Sequence, residues 1–163
     1  MQHICTINVM NNSCSPHLVH DDVSRSGPDE GAVIGILRAA DALQERLEAA
    51  LVKVGLSISK FDALEQLLAA GSPLTLGELA GCLHCVRSNV TQLVDRLEAE
   101  GLVKRGSCPQ DRRAIRAMVT PIGLERHAAG VTAIRSVQLE LAGRLSSPQR
   151  AALQSLLRAA TGE

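Results

Sequence analysis

The sequence predicts a mainly α-helical fold that carries one small β-hairpin. Apolar residues recur at intervals of three and four along most of the chain, which is the spacing of one helix face. Between residues 102 and 120, two short apolar runs separated by a turn are typical of a half-buried hairpin instead. Alanine and leucine are abundant, whereas Phe61 is the one aromatic residue of the 163. The core is therefore expected to consist of aliphatic side chains, which suits the packing of helices.

The N-terminal part of the chain divides into a polar segment and a long helix. Residues 1–28 are polar and aperiodic, so we expect a flexible arm; an alternative is that part of it packs across a partner subunit. Residues 29–54 are predicted to form a helix, and Gly55 stands where a C-terminal glycine cap would be. The apolar stripe of this helix comprises Val33, Ile36, Leu37, Ala40, Leu43, Leu47, Ala50, Leu51 and Val54.

Two shorter helices follow, and each begins with residues typical of an N-terminal cap. The first is predicted over residues 59–70, where Ser59 and Asp62 resemble a capping box. The second is predicted over residues 75–82 and starts with a Thr-x-x-Glu capping box at Thr75. The second of these helices opens the region with the strongest functional pattern.

That region begins with the helix at residues 75–82 and continues with a turn, a second helix and a hairpin. The second of these helices is predicted over residues 86–100, with polar and basic residues near its start. A strand at 102–105, a turn region at 107–113 and a returning strand at 114–120 follow it. This order is the layout of a winged helix-turn-helix, which puts one helix in the DNA major groove and a basic loop along the backbone. The buried stripe of the second helix is Val90, Leu93, Val94 and Leu97.

Two helices complete the chain and leave apolar surface to be covered. One is capped by Thr120 and is predicted to run to about residue 144, and the last begins at Ser147. Together with the first helix they carry more apolar surface than the central unit can bury, so we expect a homodimer around a two-fold axis. The predicted organisation is an arm (1–28), a helical dimerisation region (29–54 and 121–160) and a DNA-binding region (55–120).

The charge of the whole chain is neutral, but its distribution is uneven. The formal net charge is zero, while residues 84–120 hold seven basic and four acidic side chains, a local excess of three positive charges. A mixed solvated surface would also explain an excess of this size. No apolar run is long enough for a membrane-spanning helix, and no signal peptide is visible. We therefore expect a cytoplasmic protein that has no membrane partner and keeps its five cysteines reduced.

Two motifs in the winged region are similar to those of a known family. The first is the run Asn-Val-Thr-Gln-Leu-Val-Asp-Arg-Leu-Glu-Ala-Glu-Gly-Leu-Val-Lys-Arg at residues 89–105. The second is Asp111-Arg112-Arg113, followed by the Thr-Pro-x-Gly that starts at Thr120. These look like the recognition helix and the wing signature of the MarR family of bacterial transcription regulators. The flanking helices match in order and length, so the resemblance covers about residues 29–160.

The resemblance implies partners and residue roles. It implies a homodimer with interlocked N- and C-terminal helices, a palindromic double-stranded DNA operator, and repression that is lifted by a small molecule or an oxidant. It further implies that Arg113 enters the minor groove, and that Asp111 orients this arginine rather than contacts DNA. Val86 departs from the family, because many members place a Ser or Thr cap at this point. The implied DNA-binding residues are Arg87, Ser88, Asn89, Thr91, Gln92, Arg112 and Arg113.

The chemistry of these residues suits the reading of base edges. The amides of Asn89 and Gln92 suit adenine, and the guanidinium of Arg87 suits guanine. The alternative is that they are exposed helix residues without a role in binding. Arg112 and Arg113 at a hairpin tip are expected to contact phosphate or the minor groove, although an ordinary solvated turn would also place them outside.

The cysteines of the winged region admit three interpretations. Cys82 and Cys85 flank the turn before the second helix, and Cys108 lies in the wing. In the first interpretation, Cys82 is a small core residue and Cys85 a turn residue. In the second, they form a redox sensor, because a thiol near a helix N-terminus is favoured as the reactive thiolate. In the third, they bind metal together with His84, although one Cys-x-x-Cys without a second pair is weak support for zinc.

No pattern of catalytic residues is visible in the chain. There is no Ser-His-Asp order of known type, no glycine-rich phosphate loop after a strand and no His-Glu-x-x-His. We expect no enzyme activity, no cofactor and no metal site. The predicted function is that of a sequence-specific DNA-binding transcription regulator, a repressor released by a small-molecule or oxidative signal. The alternatives are a thiol-based redox or metal sensor that uses Cys82 and Cys85, and a winged-helix protein-interaction module without DNA binding.

Overall fold

The fold is helical with a small antiparallel sheet, in agreement with the predicted fold class. The computed structural model describes residues 28–107 and 115–162. Almost all of the predicted arm and the tip of the hairpin lie outside these ranges. The elements are α1 (Pro28–Val52), α2 (Ile58–Ala69), β1 (Leu74–Thr75), α3 (Leu76–Cys82), α4 (Arg87–Ala99), β2 (Val103–Ser107), β3 (Ile115–Val119), α5 (Pro121–Gly143) and α6 (Ser147–Thr161).

The core lies where α2, α3 and α4 pack against the sheet and the end of α1. It is aliphatic, as the composition predicts, and its most enclosed side chains have 0% exposure. Because α4 contributes three buried residues on one face, its opposite face is fixed toward solvent. The fully enclosed core residues are Ala63, Leu64, Leu79, Val94, Leu97 and Ala117.

The predicted start of α2 is wrong. The helix begins at Ile58, and Ser57 is its cap, with its Oγ accepting a hydrogen bond from the Lys60 backbone N–H at 3.3 Å. Glu48 of α1 accepts a second bond from the Ile58 N–H at 2.8 Å, a contact from outside the local sequence. Asp62 is therefore not part of a capping box. It is half-buried, and burial, followed by the nearby Glu65 charge, raises its pKa to about 6.

The predicted capping box of α3 is confirmed. The Glu78 backbone N–H donates to Thr75 Oγ1 at 3.2 Å, and the Thr75 N–H donates to the Glu78 carboxylate at 2.7 Å. These bonds stabilise the charged carboxylate and lower the pKa of Glu78. The box fixes the first helix of the helix-turn-helix at its start.

The sheet has the strand order β1-β3-β2, and all its pairings are antiparallel. The hairpin was predicted, but β1 was not, because two residues carry no periodicity of their own. Leu74 of β1 lies opposite Ala117, and Val103 of β2 lies opposite Val119. The pairing with β1 ties the hairpin to the segment just before α3, so the wing and the helix-turn-helix form one unit.

The junction between the hairpin and α5 is tightly packed. Thr120 caps α5, as predicted: its Oγ1 donates to the Gly101 carbonyl at 2.7 Å and accepts from the Gly123 N–H at 3.0 Å. Gly123 lies so close to the hairpin that a Cβ atom there would be 2.0 Å from the Leu102 carbonyl oxygen. The Thr-Pro-x-Gly motif is thus the joint between the wing and the long helix.

The outer helices leave apolar side chains exposed in the single chain. α1 packs against α5, and Arg46 and Glu140 form an ion pair at 2.7 Å between them. Residues 31–40 of α1 and all of α6 contribute no buried residue. Within the described residues, no helix has the length and hydropathy that crossing a membrane requires. The exposed apolar residues of this surface are Val33, Ile34, Ile36, Leu37, Leu43, Val131, Leu139, Leu153, Leu156 and Leu157.

Candidate nucleic-acid interface

The first turns of α4 form the exposed polar surface of the helix-turn-helix. Val90 and Val94 are buried and hold the helix on the core. The polar side chains before Val90, and those between Val90 and Val94, point away from the core. Four of the five predicted base-reading residues of α4, Arg87, Ser88, Asn89 and Gln92, are exposed, and the fifth, Thr91, is half-buried.

Thr91 is restricted by two contacts. Its hydroxyl donates to the Arg87 carbonyl at 3.0 Å, and its own carbonyl accepts from the Arg105 guanidinium at 3.4 Å. The hydroxyl proton is therefore already engaged, and the side chain has its oxygen lone pairs and its methyl group left for a ligand. A contact of Thr91 with DNA would use one of those two groups.

The turn before α4 is closed by the backbone. The Cys85 N–H donates to the Ala80 carbonyl at 3.1 Å, and the His84 N–H donates to the Gly81 carbonyl at 3.2 Å. This is the bonding of a Schellman motif, which requires a left-handed residue between the two helices. His84 fills that position with a φ of 50°, where glycine is more common. The turn fixes the angle between α3 and α4.

Arg105 of β2 joins the hairpin to the side of α4. Its guanidinium pairs with Asp95 and, at 3.3 Å, with Glu98, and its backbone N–H donates to Glu98 at 3.1 Å. Arg105 is thus one of the seven basic side chains of residues 84–120, and its two carboxylate partners are among the four acidic ones. It is a positioning residue that the sequence analysis missed; the acidic pair three residues apart on α4 was the available signal.

Arg116 of β3 is also engaged within the fold. Its guanidinium donates to the Pro73 carbonyl at 2.7 Å, next to β1. The basic side chains of the unit thus fall into two groups. Arg105 and Arg116 brace the hairpin, whereas Arg87, Arg96 and Lys104 are exposed.

The matching family model covers this same unit. Residues 54–114 match the model described as the MarR family, from the end of α1 to the hairpin tip. The match includes the helix-turn-helix and the first strand of the wing.

The helix-turn-helix of this chain and the first strand of its wing are similar to the MarR family. The match confirms the resemblance seen in the motif at residues 89–105 and in Asp111-Arg112-Arg113, whereas the Thr-Pro-x-Gly motif at Thr120 lies beyond the matched residues.

Proteins similar to this chain are named as transcription regulators. The HTH-type transcriptional regulator PrsX of Escherichia coli is 33% identical over 89 residues, which are 54% of this chain and 54% of PrsX. The chain spans about half the length of the curated relatives it matches. These names agree with the expectation that the chain is not an enzyme.

Two solved structures extend the similarity to the fold of most of the chain. The transcriptional repressor CouR, bound to a 23-mer DNA duplex, is 27% identical with a TM-score of 0.70. The alignment covers 82% of this chain and 96% of CouR. A cysteine-to-serine variant of MarR from E. coli, in complex with operator DNA, has a TM-score of 0.65 at 22% identity and covers 82% of this chain and 94% of that one. The flanking helices α1, α5 and α6 therefore belong to the same architecture.

Of the two cysteines before α4, Cys85 is a turn residue as the first interpretation has it, whereas Cys82 does not occupy its predicted place. Cys82 is exposed at the end of α3, so its interpretation as a small core residue is wrong. Cys85 is half-buried in the turn and packs against the core. In the parts of the chain that the structure describes, no three His, Cys, Asp or Glu residues come together as metal ligands. Cys82, His84 and Cys85 thus do not form such a group.

The remaining predicted site residues belong to the segment between β2 and β3. Cys108, Asp111, Arg112 and Arg113 fall outside the described residues. The described ends of the tip, Ser107 of β2 and Ile115 of β3, lie opposite each other in register.

Proposed function

We propose that this chain is a dimeric, sequence-specific DNA-binding transcription regulator that acts as a repressor. The observation that carries the proposal is the exposure of Arg87, Asn89 and Gln92 in the first turns of α4. The opposite face of the helix is packed in the core. An exposed helix of this composition has the donors and acceptors that the major groove requires. The DNA duplex bound by CouR, a relative of the same fold, supports this use of the surface.

The second part of the proposed interface is the wing. We infer that Arg112 and Arg113 contact phosphate or the minor groove, and that Asp111 orients Arg113. The register of β2 and β3 supports this, since the strands stay paired up to Ser107 and Ile115, the residues that flank the segment with these side chains. Arg105 fixes β2 to α4, so the two contacts would approach DNA as one rigid surface.

Dimerisation follows from the exposed apolar surface of α1, α5 and α6. A second copy would cover side chains such as Leu37 and Leu156, each more than half exposed in the single chain. Two recognition helices about 34–36 Å apart would then enter successive major grooves of a palindromic operator. We assign residues 29–54 and 121–160 to this dimerisation region and residues 55–120 to DNA binding.

A small-molecule signal would need a site near the joint between these regions. A groove of about 290 Å³ lies where the end of α1 meets the start of α5. Arg126 donates across it to the Val54 carbonyl at 2.9 Å. A ligand that competes for this hydrogen bond would change the contact between the two regions. The groove is lined by Val54, Ile122, Glu125, Arg126 and Ala129.

Replacement of single base-reading residues tests the proposed function. We expect Asn89→Ala or Gln92→Ala to remove the preference at one base pair of each half-site, with a loss of about 1–3 kcal/mol there. The measurement is competition of single-base-pair variants against DNA that the wild-type protein selects from a random pool. Gln138→Ala, at an exposed position of α5, is the control and should keep every preference. A uniform loss on all sequences would contradict direct base reading.

A thiol-based signal is the second candidate, and the exposure of Cys82 favours it. Cys82 and Cys85 flank the turn that sets the angle of α4, so oxidation there would disturb the DNA-reading helix. We expect peroxide to weaken operator binding and Cys85→Ser to remove this effect. The measurement is fluorescence anisotropy of labelled DNA before and after treatment. Binding that is unchanged by peroxide would leave a small molecule as the signal.

A further inference from the structure

The cap of α4 differs from those of the other helices with described starts. Ser57, Thr75, Thr120 and Ser146 stand at the N-caps of α2, α3, α5 and α6. At α4 the N-cap is Val86, whose side chain makes no capping hydrogen bond. A hydroxyl is favoured at this position because it accepts a hydrogen bond from an otherwise unpaired backbone N–H. Valine cannot do this, so α4 is less stable than it would be with a Ser or Thr N-cap.

Val86 does not compensate for this loss by packing in the core. Its side chain is 64% exposed, in line with the exposed residues that follow it. Only its backbone is used, since its carbonyl accepts from the Asn89 N–H at 3.0 Å and from the Val90 N–H at 3.4 Å. The apolar side chain of Val86 is therefore exposed to solvent at the N-terminus of α4, next to Arg87.

We propose that Val86 is a specificity-determining residue that reads the C5-methyl group of a thymine in the major groove. The inference rests on the proposed function, because it places α4 in that groove. Thymine is the base that presents an apolar group there, and apolar side chains recognise it by contact. Arg87 suits guanine and Asn89 suits adenine, so Val86 adds the one chemistry that these polar neighbours lack.

Substitution of thymine by deoxyuridine isolates this contact, because it removes the methyl group and leaves base pairing unchanged. DNA selected by the wild-type protein from a random pool is resynthesised with each thymine replaced singly. We expect the wild-type dissociation constant to rise about fourfold at one thymine of each half-site, as for loss of one buried methyl group. Val86→Ser and Val86→Ala should bind thymine and deoxyuridine DNA equally at that position. Val86→Ser should also melt at a higher temperature than the wild type, since it restores the cap.

The experiment has a matched control, and failure of this inference can be distinguished from failure of the proposed function. Val52→Ser removes a similarly exposed valine, 60% exposed on α1, and should keep the fourfold preference. The inference is overturned if the wild type is indifferent to every deoxyuridine, or if both Val86 variants keep the preference. Salt-dependent binding that ignores the methyl group would overturn this inference alone. Absence of any selected DNA would overturn the proposed function with it.

Discussion

Gly123→Ala is expected to lower the free energy of unfolding by about 3 kcal/mol. The new Cβ would lie 2.0 Å from the Leu102 carbonyl oxygen and 2.8 Å from Cγ1 of Val119. Backbone cannot yield as a flexible side chain can, so α5 would have to move away from the hairpin. This would also break the Thr120 cap, whose Oγ1 accepts from the Gly123 N–H. Urea unfolding followed by circular dichroism measures the change.

The control for this prediction is the same substitution at the other end of α5. A Cβ at Gly143 would have nothing within 4 Å. Gly143→Ala is therefore expected to be neutral or to stabilise the protein by up to about 1 kcal/mol, because alanine loses less backbone freedom on folding. Equal stability of the Gly123→Ala and wild-type proteins would contradict the packing described at this joint.

Leu156→Glu is expected to raise the dissociation constant of the dimer by about 100-fold. Leu156 is 68% exposed on α6 in the single chain, and the proposed dimer buries it. The substitution loses roughly 2 kcal/mol of apolar burial and places a carboxylate in an apolar contact. Analytical ultracentrifugation over a concentration series measures the shift. Affinity for a palindromic operator should fall in parallel, since a monomer can fill one half-site.

Ser155→Glu provides the matched control on the same helix. It adds the same charge one residue earlier, about 100° around α6 and away from the face of Leu153, Leu156 and Leu157. This variant should remain dimeric and bind DNA as the wild type does. A Leu156→Glu protein that stays dimeric at the same concentrations would contradict the assignment of α6 to the dimer interface.

Local signals in the sequence were enough for most of the helices. The Thr75 capping box, the Thr120 cap and the buried stripe of α4 are each determined by residues within one or two turns, and the structure has all three. The start of α2 was not predictable in this way, because Glu48 of α1 helps to satisfy its first N–H groups from ten residues away. The strand β1 exists only through its pairing with β3.

In the candidate site, too, some features follow from the local sequence and others depend on tertiary contacts. The exposed polar start of α4 follows from its helical periodicity, whereas a DNA-reading role for Arg87, Asn89 and Gln92 was implied by the family resemblance and stays a prediction. The role of Arg105 could not be predicted, because its pairing with Asp95 and Glu98 requires β2 to return along the side of α4. Charge counting therefore gives the net charge of the unit but does not show which basic side chains are paired within the fold. The exposure of Cys82 likewise depends on what α3 packs against.

The most direct test of the central claim is the salt dependence of binding to selected DNA. The dimer is titrated against a labelled duplex by fluorescence anisotropy at several salt concentrations, beside a duplex of scrambled sequence. If each subunit neutralises two phosphates, the logarithm of the association constant should fall with the logarithm of salt with a slope of about −3.6. The selected duplex should bind more tightly at every concentration. Weak binding without salt dependence or sequence preference would contradict the account and favour a winged-helix module that binds another protein.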